Sequence, residues 1–409
     1  MEVRYPRCAG LDVHKDSVVA CARIVGDAGV QQDVATFGTT TSALLALSDW
    51  LERHGVTHVA MEATGSYWKP VWHVLEASFE LVLANAMHVK NVPGRKTDVN
   101  DAMWIADLLA HGLIRGSFVP PTAVQELRAL TRTRKQLVRE KAAHVQRIEK
   151  TLQGANLKIT SALSDIVGQS GRAVLRAIIA GETDPETLLA AIGKRRLKAS
   201  RAQLLEALRG HITPHHRFLL KLHLQQVETL DRAIATIETE VGESLRPFRT
   251  AADRLTTIPG ISDVAASVIV AEIGVDMSRF PTVSHLISWA GLCPKNDESA
   301  GKRRSTRIRK GAPWLKTALV QSAWAAVRSK ETYLRAQFLR LKSQRGPRKA
   351  IIAVAASILT AAYFMLRDGT NYQDLGGDYF DRKDRVRAAA RLVRRLQHLG
   401  YEVNVREAA

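Results

Sequence analysis

The chain has 409 residues, of which 46% are apolar, so it is long enough for two or three domains and is not disordered throughout. Its formal net charge of +19 favours a polyanionic partner, nucleic acid before membrane. It has three cysteines, Cys8, Cys21 and Cys293, which exclude a disulfide scaffold and predict a reducing cytoplasm.

The first region, residues 1–118, alternates strand and helix patterns. The predicted elements are strands at Cys8–Val13, Ser17–Ile24 and Gln31–Phe37, a helix at 41–53, a strand at Val56–Met61, a helix at Ser66–Phe79, a strand at Glu80–Asn85 and a helix at 97–111. Three antiparallel-type strands followed by helix, strand, helix, strand and helix give the element order of an RNase H-like sheet. We therefore expect an α/β domain here.

The second region, residues 119–250, has an almost entirely helical pattern. Helices are predicted at Thr122–Gln153, Thr160–Ala180, Pro185–Ile192, Ser200–Leu208 and His216–Leu245. The last one carries apolar residues at every seventh position, namely Leu220, Val227, Ile234 and Val241. This heptad slightly favours a coiled coil, between subunits or in a hairpin, over an amphipathic helix packed in its own domain.

The third region, residues 251–370, also predicts mostly helices. In Leu255–Gly274 a turn at Pro259-Gly260 precedes an apolar helix, a helix-hairpin-helix pattern in which Gly260 would meet a phosphate. An ordinary helical hairpin explains the pattern equally well. Helices are also predicted at Pro313–Ser329 and Ala350–Leu366, the latter buried in protein rather than in a membrane. Residues 371–409 form a tail with a basic helix near 382–399.

The positive charge is confined to the later regions. Residues 1–115 carry a net charge of −3, residues 116–250 of +9 and residues 251–409 of +13. A slightly acidic domain joined to two basic regions is not the charge pattern of a simple DNA-coating protein. We expect the first domain to meet phosphates through metal ions and the later regions to bind them directly.

Four acidic residues of the first region form a candidate metal site. Asp12 interrupts an apolar strand, where a carboxylate is costly unless it is paired or bound to a metal. Glu62 follows a second strand, which lies next to the strand of Asp12 in an RNase H-like sheet. Asp98 and Asp101 stand three residues apart on a predicted helix and share one face. Such an oxygen-rich set suits Mg²⁺ or Mn²⁺, and two such ions can clamp a phosphodiester.

Each acid also has a simpler interpretation. Asp98 could cap its helix, Asp101 could be a solvated acid of the first turn, and Glu62 could be a turn residue. Asp12 is the hardest to explain in this way. Asp107 lies off the face shared by Asp98 and Asp101, and we interpret it as structural.

A basic loop follows at residues 296–311. It contains six cations: Lys302, Arg303, Arg304, Arg307, Arg309 and Lys310. The loop could simply bind phosphates. Alternatively it carries a nucleophile, because cations and a metal ion can stabilise a serine alkoxide and a pentavalent phosphate. Ser299 and Ser305 are both candidates, and composition does not choose between them.

Several motifs together resemble the transposases of the insertion-sequence 110 family. They are Gly10–Lys15, Met61–Gly65, Lys96–Asp101, Ile258–Ser262, Gly291–Pro294, the loop Ser299–Lys310 and Trp314–Leu319. Their common order along residues 8–366 is far more specific than any single motif.

The resemblance implies a RuvC-like N-terminal domain, a coiled-coil segment and a C-terminal transposase domain with a catalytic serine. Carried over by position, the metal set is Asp12, Glu62, Asp98 and Asp101, and the nucleophile is Ser299. Many members of the family place the serine directly before the glycine, whereas Ser299-Ala-Gly301 contains an extra alanine. Ser305 therefore stays the weaker candidate.

The resemblance also implies partners and a location. The family acts on donor and target DNA, guided by a structured noncoding RNA, as a homo-oligomer that we expect to be a dimer or a tetramer. Its active sites combine the two domains of different subunits. The expected location is the nucleoid in a prokaryotic cytoplasm, without membrane attachment.

Three functions were compared. The favoured one is an RNA-guided recombinase that forms a phosphoserine–DNA link. The second is a RuvC-type, metal-dependent, structure-selective nuclease with no covalent intermediate. The third, a non-catalytic nucleic-acid-binding protein, fits poorly with an intact carboxylate set beside an intact serine loop.

Overall fold

A computed structural model describes residues 2–27, 29–63, 65–84, 98–114, 116–163, 165–193, 199–294, 297–299, 301–305 and 307–405, without the side chains at 98–100, 297–299, 303 and 304. The chain divides into two compact units, Met1–Val119 and Pro120–Ala409. The first contains a mixed sheet with helices, and the second is mostly helical. The predicted boundary at 118 lies beside this division, whereas 250 and 370 fall inside the second unit.

Five strands build the sheet of the first unit. They are β1 (Arg7–Val13), β2 (Ser17–Gly26), β3 (Gly29–Gly38), β4 (His58–Glu62) and β5 (Glu80–Ala84), in the order β3-β2-β1-β4-β5. β1, β2 and β3 pair antiparallel, while β1 with β4 and β4 with β5 pair parallel. The helices are α1 (Thr41–Arg53), α2 (Trp68–Leu75) and α3 (Asp98–Ala110).

The alternation of side chains along the strands creates two buried faces. One face carries Ala9, Leu11 and Met61, which pack with apolar residues of α1 and α2. The other face carries Cys8 and Ala60, which pack with the apolar side of α3. Because both faces are covered, β1 and β4 are apolar almost throughout.

Helix α3 lies very close to β1 at Gly10. A Cβ atom at this position would stand 2.2 Å from the backbone oxygen of Ala102 and 2.4 Å from the nitrogen of Ala106. The helix runs antiparallel to β1, because Ala110 O accepts N–H bonds from Arg4 (2.8 Å) and Tyr5 (3.1 Å) while Ala102 lies at Gly10. Glycine thus permits backbone-to-backbone contact between helix and strand.

The second unit contains fourteen named helices and one two-stranded hairpin within its described residues. The helices are α4 (Thr122–Gly154), α5 (Ile159–Ala162), α6 (Gln169–Ala180), α7 (Pro185–Ala191), α8 (Arg201–Ala207), α9 (Pro214–Ser244), α10 (Arg249–Thr256), α11 (Asp263–Ile273), α12 (Val283–Ala290), α13 (Pro313–Ala326), α14 (Tyr333–Arg345), α15 (Pro347–Asp368), α16 (Tyr379–Lys383) and α17 (Arg385–His398). Strands β6 (Asp297–Ser299) and β7 (Lys302–Ser305) form the hairpin.

The heptad helix α9 packs along α4 of the same chain. The two helices run antiparallel, since Arg134 pairs with Glu238 while Lys141, further along α4, pairs with the earlier Asp231. Where His223 interrupts the heptad, its Nδ1 lies 3.2 Å from Nδ1 of His144 on α4. The apolar seam thus serves a hairpin within one unit.

A buried ion pair joins the start of α4 to α11. Glu272 is 1% exposed. Its Oε1 and Oε2 each accept a 2.8 Å hydrogen bond from the guanidinium of Arg132. The neighbouring Arg128 donates to the carbonyl oxygens of Ala271 and Glu272 at 2.9 and 2.8 Å. These bonds attach the long hairpin to the core that α11, α13 and α15 build.

Helix α15 is the apolar helix that the sequence places in the protein core. Ala350, Val354 and Ile358 are fully buried there. It is also the one helix in the described part of the chain that is long and apolar enough to cross a membrane, and half of its most apolar window is buried in the unit.

Some elements differ from the prediction. The single helix expected at Thr160–Ala180 is two helices, separated by a turn in which Asp165 Oδ1 accepts from Val167 N–H (3.0 Å). Helices α12 and α14 and the β6–β7 hairpin were not predicted. The strand predicted at Val56–Met61 begins later, and it includes Glu62.

The contact at Gly10 leads to a stability prediction. We expect Gly10→Ala to cost about 3 kcal/mol, because the new Cβ atom forces the backbones of β1 and α3 apart. Denaturant unfolding measures the change. Gly26→Ala is the matched control, since a Cβ atom there meets nothing within 4 Å. Equal stability of the two variants would contradict the contact.

The buried carboxylate gives a second prediction. We expect Glu272→Gln to lower the free energy of unfolding by about 3 kcal/mol, because Arg132 and Arg128 lose their counter-charge in a buried place. Glu238→Gln, which breaks the more exposed pair with Arg134, should cost less than about 1 kcal/mol. Denaturant titrations of both variants test this difference, and a reversed order is the result that contradicts it.

Candidate active site

Asp12 lies near the carboxyl end of β1, between the buried Leu11 and Val13. Its side chain is 13% exposed, and its Oδ2 lies 3.2 Å from Nε2 of His14 in the following turn. By strand alternation its side chain leaves the sheet on the face of Gly10, the face that α3 covers. The carboxylate is therefore largely removed from water and stands beside a helix.

Glu62 lies in β4 beside Asp12. The parallel register pairs Leu11 with Met61, so the next two residues, Asp12 and Glu62, follow at neighbouring strand ends. Glu62 is half-buried and shares the face of Ala60, the same face as Asp12. The structure therefore brings these two predicted residues to one edge of the sheet, as the RNase H-like element order led us to expect.

The other two acids lie at the beginning of α3. Because α3 runs antiparallel to β1 and Ala102 lies at Gly10, the start of the helix points toward the end of β1 that carries Asp12. Asp98 is the first helical residue, one turn before Ala102, and its side chain is outside the described set. Asp101 is half-buried one turn later. A helix N-terminus also favours negative charge.

A complete ligand set is not assembled in the described residues. Among the side chains that the structure describes, no three carboxylates, histidines or cysteines are grouped closely enough to hold a metal ion. Asp12, Glu62 and Asp101 share a region of one sheet face rather than a ready-made cluster.

Asp107 of α3, which the sequence led us to interpret as structural, lies close to Arg23 of β2 and to His111. Its Oδ1 lies 3.2 Å from Nε of Arg23, whose side chain is 5% exposed, and 3.7 Å from Nδ1 of His111. The nearby Cys8 and Cys21 are fully buried, and burial raises the pKa of each thiol to about 11. These thiols stay protonated at neutral pH, which agrees with a structural role for this part of the sheet.

The predicted serine loop is a short β-hairpin. Ser299 in β6 pairs with Lys302 in β7, and Gly301 takes a φ of +73° in the turn. The side chains of Ser299, Arg303 and Arg304 lie outside the described set, whereas Lys302, Arg307, Arg309 and Lys310 are exposed. Ser305 Oγ accepts a 3.2 Å hydrogen bond from the N–H of Arg307. The hairpin and the residues that follow it, to Lys310, thus present their described cations to solvent. We call residues 297–310 the serine hairpin.

The base of this hairpin is fixed to the helical core. Lys316 on α13 donates to the carbonyl oxygens of Arg309 (2.8 Å) and Lys310 (2.6 Å), and burial lowers its pKa. Gly311 has a φ of +54°, and a Cβ atom there would stand 2.4 Å from Ala290 O. Sequence reasoning missed Lys316 as an anchor, although its position in the Trp314–Leu319 motif was a signal.

Gly260 occupies the turn between α10 and α11 with a φ of +85°. A Cβ atom there would stand 2.4 Å from Ser322 O and 2.5 Å from Ala326 N on α13. The glycine is thus required for close packing of α13 as well as for the turn. Its predicted role at a phosphate stays a prediction.

Family models and related proteins match the same parts of the chain as the motifs described above. A family model for DEDD transposases of IS110, described as "Transposase", matches residues 9–157, and one described as "Transposase IS116/IS110/IS902 family" matches residues 252–339. The transposase for insertion sequence element IS1111A of Coxiella burnetii is 26% identical over 73% of this chain and 74% of its own length.

Two Streptomyces proteins are also similar. An IS116 protein of 44.8 kDa from Streptomyces clavuligerus is 27% identical over 70% of this chain and 78% of its own length. An IS110 protein of 43.6 kDa from Streptomyces coelicolor is 33% identical, over 29% of each chain. Two family models thus match an N-terminal and a C-terminal part of the chain in this order. The chain belongs to the IS110 family of insertion-sequence transposases.

Proposed function

We propose that this transposase cuts and rejoins DNA through a serine nucleophile, with divalent metal ions held by four carboxylates. The observation that carries the proposal is the packing of α3 on Gly10, which lays a helix start bearing Asp98 and Asp101 beside the strand ends of Asp12 and Glu62. Four carboxylates in this order along the chain agree with the DEDD description of the matching family model.

The first unit is proposed to be an RNase H or RuvC-like domain. Its strand order β3-β2-β1-β4-β5 supports this assignment, with three antiparallel strands followed by two parallel ones. In such a sheet the carboxyl ends of β1 and β4 lie side by side. Asp12 is the residue before the last in β1, and Glu62 is the last residue of β4. The sheet therefore provides a rigid base for a catalytic site.

The donor set fits Mg²⁺ or Mn²⁺. All four side chains are carboxylates, which are hard oxygen ligands, and Asp12 and Glu62 are partly buried acids on neighbouring strands whose mutual repulsion a cation would offset. When bound, the metal supplies charge neutralisation at the attacking and leaving oxygens of a phosphodiester. Asp12 and Glu62 would hold it from the sheet, and Asp98 and Asp101 from the helix.

Ser299 is the proposed nucleophile. Its Oγ loses a proton and forms a bond to phosphorus, while the bond from phosphorus to one DNA oxygen breaks and that oxygen takes up a proton. A hydroxyl of the second DNA end then attacks the phosphoserine and restores the serine. The exposed cations of the hairpin would stabilise the charge that develops on the phosphate.

The carboxylates and the serine lie in different units of the chain. We propose that the chain acts as a homo-oligomer, a dimer or a tetramer, as the family resemblance implies. We propose that a structured noncoding RNA guides the protein to donor and target DNA at the prokaryotic nucleoid. The basic charge after residue 115 supports binding to both nucleic acids.

The metal set is tested by Asp12→Asn, which removes one charge and keeps the shape of the side chain. We expect strand transfer between DNA ends to fall by at least about 100-fold, because the transition-state charge loses its stabilising partner. Asp16→Asn, in the exposed turn after the same strand, is the matched control and should keep its activity. Full activity of Asp12→Asn would refute the metal set.

The nucleophile is tested by trapping. On denaturing gels we expect a covalent protein–DNA adduct with the wild-type chain and with Ser305→Ala, and none with Ser299→Ala, because only the latter lacks the attacking oxygen. An adduct lost only in Ser305→Ala would move the nucleophile to that residue. Cleaved DNA without any adduct would favour the RuvC-type nuclease.

A further inference from the structure

The second unit contains a groove whose lining does not include the residues of the serine hairpin. It has a volume of about 620 Å³ and lies where α4, α9, α11 and α13 meet. Five cations line it: Arg132, Arg134, Lys135, Arg139 and Arg249. Three acids also line it: Glu238, Asp263 and Glu272. An excess of positive charge therefore surrounds a concave space.

The acids are assigned to particular cations. Glu238 pairs with Arg134, Glu272 pairs with Arg132, and Asp263 lies 3.4 Å from Arg249. For Lys135 and Arg139 no carboxylate lies within ion-pair distance in the part of the chain that the structure describes. Lys135 instead reaches Gln321 Oε1 at 3.5 Å. Burial and the neighbouring Arg139 and Arg134 lower the pKa of Lys135, so an anion between these side chains would relieve their repulsion.

An aromatic ring stands next to these cations. Trp314, the second residue of α13, is half-buried in the groove. The guanidinium carbons of Arg132 and Arg139 lie 5.6 and 5.3 Å from the centre of its ring. The two guanidinium groups lie over the indole ring, and an unpaired base can stack on an indole ring or on a guanidinium plane.

The walls of the groove are held in place without a ligand. The two hydrogen bonds from Arg132 to Glu272 fix one wall, and the close approach of α13 to Gly260 fixes another. Little ordering is then required when a ligand enters, which favours affinity. The volume is that of a pocket for a small molecule, about 300–1,000 Å³, so one or two nucleotides fit within it.

We propose that this groove binds a single-stranded polynucleotide, with a phosphate at Lys135 and Arg139 and an unpaired base against Trp314. The inference rests on the proposed function only in that the chain acts on nucleic acid. It assigns to α4 and α13 a contact with an unpaired strand, whereas the serine hairpin and the carboxylates act at the phosphodiester that is cut.

The experiment measures binding of labelled single strands to the full chain by fluorescence anisotropy, in EDTA and over a range of salt concentrations. The probes are oligothymidylate, oligouridylate and a DNA hairpin duplex with the same number of phosphates. EDTA removes the metal that the catalytic proposal requires, and anisotropy reports binding rather than cutting. A failure of the catalytic proposal therefore leaves this measurement intact.

We expect Lys135→Gln combined with Arg139→Gln to weaken single-strand binding at least about tenfold and to reduce the salt slope by about 0.7, the value for one lost phosphate contact on a single strand. Trp314→Ala should weaken it by about tenfold, and Trp314→Phe should retain most of the affinity. The matched control is Arg147→Gln combined with Lys150→Gln, two exposed cations of the same helix outside the groove, which should bind within about twofold of the wild type.

Unfolding midpoints show whether each variant folds. If Trp314→Ala does not fold, the cation variant and Trp314→Phe still test the groove. A similar loss in the control variant, an equal loss of duplex binding, or no single-strand binding by the wild type would each overturn the proposal. The DNA and RNA probes show which strand the groove prefers, and a loss on either one supports it.

Discussion

The contact between α3 and β1 at Gly10 is the constraint on which the candidate active site depends. A helix axis usually stands well away from a sheet because side chains lie between them. At Gly10 no side chain intervenes, and the backbone of Ala102 comes within the space of a missing Cβ atom. The short distance draws the start of α3 toward the strand ends. The carboxylates of α3 therefore lie near those of β1 and β4 only if this contact is kept.

A second constraint acts in the helical unit, where Glu272 is buried with two arginines of α4. A buried ion pair contributes little net stability compared with apolar packing, but an unpaired member is costly. The pair therefore specifies which turn of α4 faces α11. That register also puts Arg132 and Arg139 beside Trp314. One ionic contact thereby determines both the attachment of the helical hairpin and the lining of the groove.

The sequence predicts the sheet well because its signals are local and agree with each other. Asp12 stands out in an apolar strand, and Glu62 closes another, so their meeting follows from the element order. The contact at Gly10 is not predictable in this way, because nothing in a single strand reveals which helix will cover it. The groove is equally hidden, because Lys135 and Trp314 are far apart in sequence and line one groove through the packing of both α4 and α13 on α11. Helix α14 escaped prediction because its apolar residues, from the buried Leu334 to the exposed Leu339, do not keep to one face.

The distribution of charge now has a physical interpretation in terms of these sites. The proposed set of carboxylates would repel phosphates unless a cation lay between them. The net charge of −3 on residues 1–115 agrees with contact through metal ions rather than through basic side chains. Residues 116–409 carry a net charge of +22, and we propose that they bind the nucleic acid directly. There the cations are of two kinds. Those paired with acids, such as Arg132, hold the fold together, whereas those of the hairpin and of Lys135 with Arg139 face solvent or an open groove. Only the second kind can exchange water and counterions for phosphate, so the salt dependence of binding reports on them rather than on the total charge.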